Sequence, residues 1–267
     1  MKGCPCSPPE RGITARILHP NVLLGASCLL TALLLVVHKI ADPLLKRDSI
    51  FYITYLEKWL ETNDFCLFLS QNPEYLKLPP LYFICCRGLV YLLGSVQASC
   101  WILNLLCISL LPIPTYYLAR EIGLRSGAAL TAGLLLTWNP PVFDLGTNCL
   151  RDPLFLFLTV CALWMGIRAF VRDKKYALPA GFLLGALPFI RYEGWEVILL
   201  SFAAAVFLTC RKTGRREKLF KLALAASGTA IVPAVFLIYF ACSASESRWL
   251  LVGNMCKYGS FYFNKFL

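Results

Sequence analysis

Apolar residues fall along this chain in long blocks rather than in alternation, and short polar stretches separate the blocks. The runs Val22–Val37, Trp101–Leu118, Ala128–Val142, Pro153–Val171, Leu178–Ile190, Trp195–Cys210 and Leu219–Cys242 carry few charges. About 20 apolar residues in a helix cross a hydrocarbon core of about 30 Å, so the pattern predicts a bundle of transmembrane helices. No period-two alternation recurs over segments of about ten residues, as an outer-membrane barrel would require. The expected fold class is all-α, a polytopic transmembrane bundle of about seven spans plus one partial or juxtamembrane helix. The partial one is "PPLYFICCRGLVYLLG" (79–94), which is short and carries Arg87 near its middle, where a membrane arginine is costly. Otherwise the run 128–142 is the one that fails to cross.

Charge gives the spans a direction. The stretches "REIGLR" (120–125), "VRDKK" (171–175) and "RKTGRREK" (211–218) lie between apolar runs, as basic cytoplasmic loops do. With these inside, 101–118 runs inward, 128–142 outward, 153–171 inward, 178–190 outward, 195–210 inward and 219–242 outward. Residues 1–21 carry Lys2, Arg11 and Arg16 with no small-x-small cleavage site after the first apolar run, which suits a cytoplasmic segment before an uncleaved helix. The organisation expected is a transmembrane module over 22–242, with an outer loop at 41–78 and an outer tail at 243–267. The basic loops also explain the net charge of +11, so membrane lipid and not nucleic acid is the expected environment.

Composition agrees. The chain is 58% hydrophobic and 15% charged with a mean hydropathy of +0.64, against about 45–50% and 25% in soluble domains. Of the 13 cysteines, most sit inside apolar runs as small hydrophobes. Cys4 and Cys6 form a lone "CPC", a weak metal signal, and Cys66 and Cys149 share the outer side and could pair.

The segment "KRDSIFYITYLEKWLE" (46–61) puts Tyr52, Ile53, Tyr55, Leu56, Trp59 and Leu60 on one side of a helix. Thr54, Glu57, Lys58 and Glu61 take the other, which suits a helix lying in the membrane interface. Asp48 stands at its start, where an aspartate commonly caps. Asp152, in "RDP" before Pro153, has the same capping role open to it. The alternative reading takes them together. Both acids emerge on the outer face at the lip of a span, with Arg151, Lys77 and the "RYEGWE" turn bearing Arg191 and Glu193. Ionisable groups at that depth usually face protein, and Arg191 and Glu193 could simply satisfy each other. Arginine offers a planar fork to phosphate oxygens. A carboxylate can take a proton from an attacking hydroxyl or hold a divalent metal.

The ordered stretches "RDSIFYITYLEKWLE", "YLKLPPLYFICCRGLVYLLG", "PTYYLAREIGLRSGAALTAGLLLTWNP", "LRDPLFLFLTVCAL" and "GALPFIRYEGW" resemble the N-terminal transmembrane module of the GT-C glycosyltransferases. The likeness covers roughly residues 20–210 and is strongest to the protein mannosyltransferases and the aminoarabinose transferases of lipid A. It implies transfer of a sugar from a polyprenyl- or dolichyl-phosphate donor to an acceptor that the sequence does not identify. It implies an active site on the periplasmic, exterior or lumenal side of an inner (plasma) or endoplasmic reticulum membrane. By the same likeness, Asp48 matches the first-loop acid, Asp152 the second-loop acid near the donor or a divalent metal, and Arg191 the turn arginine. Lys77 is a looser match to a basic residue before the two prolines, because Leu78 intervenes. Family members continue for several more spans. The chain is therefore read as the enzyme, a fragment of it, or a non-catalytic subunit; a transporter of lipid-linked substrate is a further alternative.

Overall fold

The computed structural model describes residues 20–43, 46–72, 75, 78–210 and 215–242. Among them every regular element is helical, which follows from burying backbone polar groups where no water can satisfy them. Lys77, the Cys4–Cys6 pair and the tail 243–267 lie outside the described residues. In chain order the helices are α1 (Pro20–Ala41), α2 (Arg47–Thr62), α3 (Phe65–Gln71), α4 (Leu81–Leu93), α5 (Val96–Leu110) and α6 (Pro112–Glu121). They continue as α7 (Ser126–Thr137), α8 (Pro140–Thr147), α9 (Asp152–Val171), α10 (Ala177–Ala186), α11 (Gly194–Cys210) and α12 (Arg215–Cys242).

Four segments are long and apolar enough to cross a membrane: Pro20–Ala41, Val96–Glu121, Asp152–Val171 and Glu217–Tyr239. The expected seven full spans are not reached by helix length, and proline accounts for much of the difference. Pro140 and Pro141 open α8, and a residue before proline leaves the helical region, so the run 128–142 is divided into α7 and α8. Pro188 lies in the tight turn Leu187–Phe189 that closes α10 after 10 residues. Helix α4 has 13 residues, about 20 Å at 1.5 Å per residue, which falls short of the core as a partial helix would. Its Arg87 bonds the Asn63 side chain and, at 3.3 Å, the Tyr91 hydroxyl, and lies 4.5 Å over the Trp59 ring. That arginine braces the end of α2.

The helix contacts define two ends. At one, Glu121 at the close of α6 pairs with Arg172 at 2.7 Å and with Arg168 at 3.6 Å, both in or beside the last turn of α9. Lys174 lies 5.7 Å from the Phe220 ring of α12, and Leu24 of α1 packs with Tyr116 and Ala119 of α6. The described parts of the basic loops therefore gather at this end. At the other end Lys46 pairs with Asp144, and Arg191 with Asp152.

Between the ends, α10 and α12 approach backbone to backbone. A Cβ at Gly181 would lie 2.0 Å from the Ala225 carbonyl oxygen, and one at Gly185 would lie 2.3 Å from that of Thr229. Small residues permit such contact between apolar helices, where dispersion replaces the hydrophobic drive.

Helix α2 departs from its expected role. Tyr52, Tyr55, Leu56 and Trp59 are buried as the helical wheel requires, but protein covers them. Tyr55 stacks on Phe83 of α4 at 3.9 Å and Trp59 meets Phe65 of α3 at 4.7 Å. The apolar face that suggested an interfacial helix is largely spent on α3 and α4.

Candidate active site

The end of the bundle that carries Asp48 and Asp152 is built from three distant parts of the sequence. The loop between α8 and α9, residues 148–151, is pinned from two sides. From α2, the buried Ser49 hydroxyl accepts from the backbone N–H of Cys149 at 3.2 Å. From α5, the fully buried Asn104 donates both amide hydrogens, to the carbonyls of Asn148 at 2.6 Å and Leu150 at 2.7 Å. Asn148 in turn donates to the Asp144 carbonyl at 2.8 Å, and the Lys46–Asp144 ion pair ties α8 to the start of α2. Asp48 and Asp152 are thus held at one end, each at the first turn of its helix.

Neither aspartate caps. Lys46 occupies the N-cap of α2 and Arg151 that of α9, and no side chain closes either helix start. The Asp152 carboxylate instead takes the Arg191 guanidinium, which also grips Glu193 through two bonds, Nε to Oε2 at 3.2 Å and Nη2 to Oε1 at 2.7 Å. The mutual Arg191–Glu193 pair therefore exists, but it extends to a third member. Arg191 holds the Glu193 carboxyl below its ordinary range, more than partial burial raises it. Arg191 is itself raised, chiefly by Glu193.

One anionic and one cationic group, Asp48 and Arg151, remain around this clamp, with the Tyr52 phenol beside them. Asp48 is exposed, and no described residue bonds its carboxylate. Arg151 has its Nη1 buried without a hydrogen-bond partner among the described residues. Tyr52, one turn beyond Ser49, feels Arg151, Asp48, Arg191 and Glu193 together. Burial raises its phenol, Arg151 and Arg191 oppose the rise, and Asp48 and Glu193 add to it. Five of the six residues singled out from the sequence thus meet at one end, and the sixth, Lys77, is not described.

These side chains do not compose a metal cage. Among the described residues no three His, Cys, Asp or Glu groups converge, and the Asp152 carboxylate is already matched by Arg191. Cys66 and Cys149 are both free thiols, buried in the same apolar cluster.

Ser49, Asn104 and Tyr52 were not evident as site residues. Asn104 had one visible signal, an amide in the middle of the apolar run "WILNLLCISL", where a polar side chain must find a partner. Ser49 and Tyr52 had none, since both fit the buried face of an amphipathic helix.

Residues 77–241 match a family model described as dolichyl-phosphate-mannose-protein mannosyltransferase. The match takes in Arg151, Asp152, Arg191 and Glu193 and begins after Asp48 and Tyr52. No curated protein and no solved structure matches the chain.

Proposed function

The chain belongs to the dolichyl-phosphate-mannose-protein mannosyltransferase family, and from that premise we propose that it transfers a sugar, mannose first among candidates, from a dolichyl- or polyprenyl-phosphate donor to a hydroxyl. The carrying observation is the gathering of Asp48, Arg151 and the Asp152–Arg191–Glu193 clamp at one end of the bundle, opposite the basic loops. By the positive-inside rule that end faces away from the cytoplasm, toward a lumen, periplasm or exterior.

Asp48 is the carboxylate free to act as general base. It takes the proton of the attacking hydroxyl while that oxygen bonds to the sugar C1. The C1–O bond to phosphate breaks, and the lipid phosphate leaves with the electron pair and an added negative charge. We assign the stabilisation of that charge to Arg151, whose Nη1 has no hydrogen-bond partner among the described residues. Arg191 holds Asp152 and Glu193, which shapes the wall on which the donor rests. No step in this scheme passes through a metal.

Asp48→Asn keeps the size of the side chain and removes the base. In membranes supplied with radiolabelled dolichyl-phosphate mannose and a hydroxyl-bearing peptide, the variant should insert normally and lose transfer by at least about a hundredfold. Full transfer by the variant overturns the proposal. A catalytically silent module, in which the clamp is purely structural, would instead show no transfer by the wild type.

A further inference from the structure

No described residue bonds the Asp48 carboxylate, so its place is set through its neighbours in the first turn of α2. Two of them cross to the segment that leads into Asp152. Lys46, two residues before it, forms an ion pair with Asp144 of α8. Ser49, the residue after it, accepts from the Cys149 N–H at 3.2 Å, and both residues are fully buried. The same segment is anchored separately on α5. Asn104 holds the carbonyls of Asn148 and Leu150, on either side of Cys149, and Asn148 holds the Asp144 carbonyl at 2.8 Å. The two crossings from α2 differ in kind. The Lys46 and Asp144 side chains are 56% and 42% exposed, where an ion pair is weak and screened by salt. The Ser49 bond is dry, and losing it strands a buried backbone donor. The stiff crossing is therefore the one next to Asp48.

We propose that Ser49, assisted by Lys46, is a positioning residue for transfer: its bond to Cys149 sets Asp48 at a fixed reach from Arg151 and Asp152, which follow Cys149 by two and three residues. The proposal rests on the reading of Asp48 as general base. The α8–α9 loop keeps its own anchor at Asn104, so loss of the Ser49 bond moves the base and leaves Arg151 and Asp152 in place.

The test uses the full chain in detergent. In Ser49→Ala, hydrogen exchange at the Cys149 amide should speed by about tenfold or more, which reads the bond without turnover. With dolichyl-phosphate mannose and a hydroxyl-bearing peptide, kcat should fall about ten- to a hundredfold, as it does when a reacting group is slightly misplaced. KM for the lipid donor should stay within about twofold. Lys46→Met, an exposed change, should cost little alone and more on Ser49→Ala. The Ser49→Ala loss should also deepen, relative to wild type, as salt rises from about 0.05 to 0.5 M, because the screened Lys46–Asp144 pair then holds alone. Placed on Asp48→Asn, Ser49→Ala should lower transfer no further, since no base is left to position. Unchanged Cys149 exchange, unchanged kcat, or a loss that persists in full on Asp48→Asn overturns the inference. Full transfer by Asp48→Asn overturns instead the assignment of the base, and a wild type that transfers no mannose overturns the transferase reading. Either takes the positioning role with it, and faster Cys149 exchange in Ser49→Ala then marks the bond as structural alone.

Discussion

The hydroxyl of Ser49 accepts a hydrogen bond from the backbone N–H of Cys149, 100 positions away in sequence, at 3.2 Å inside the protein. This bond lies one residue from Asp48 and three from Asp152. It fixes the relation between the two acids more tightly than their shared end of the bundle alone would, because a buried backbone donor is costly to leave unmet.

Asn104 supplies the other hold on the same loop. Asn104→Leu removes the donors to the Asn148 and Leu150 carbonyls, at about 1–3 kcal/mol for each carbonyl left dry. Thermal unfolding in detergent should show a clear drop in midpoint, and transfer should fall with it as Arg151 and Asp152 lose register. An unchanged midpoint would mean that the loop is held by other contacts.

Arg191 acts through shape as well as charge. A lysine at 191 keeps the cation but cannot bond Glu193 through two nitrogens while also reaching Asp152. Arg191→Lys should therefore resemble Arg191→Gln, each lowering transfer by roughly tenfold or more. Restoration of full transfer by lysine would reduce the clamp to a point charge.

Glu193 adds a pH dependence whose sign follows from its lowered pKa. The ionised form is favoured in the fold, so its stabilising contribution is complete above the ordinary value of 4.5 and is lost as pH falls below it, through the depressed folded value. Melting followed from pH 7 to pH 3 should show Glu193→Gln converging on the wild type in acid. A gap between them that stays constant across this range would contradict the pairing.

The α10–α12 contact predicts a sharp contrast between two glycines. Gly181→Ala places a methyl 2.0 Å from the Ala225 carbonyl oxygen, and forcing the helices apart should cost at least about 1–3 kcal/mol. Gly88→Ala, on α4 with nothing within 4 Å, should be neutral or stabilising by up to about 1 kcal/mol. Folded yield after detergent extraction separates the two.

The apolar blocks alone determined an all-helical membrane bundle, and the basic loops determined which helix ends lie together, because both signals are local and additive along the chain. The pairing of Arg191 with Glu193, two residues apart, was legible for the same reason. Three things depended on tertiary structure. Prolines at 140, 141 and 188 shortened helices that hydropathy alone would run on. The apolar face of α2 found α3 and α4, since periodicity shows that a face must be buried but not what buries it. The Asp152–Arg191 contact, the Asn104 hold on the loop and the place of Tyr52 all join residues tens of positions apart. Such partners are chosen by how helices pack, and nothing in the local order of residues encodes that choice.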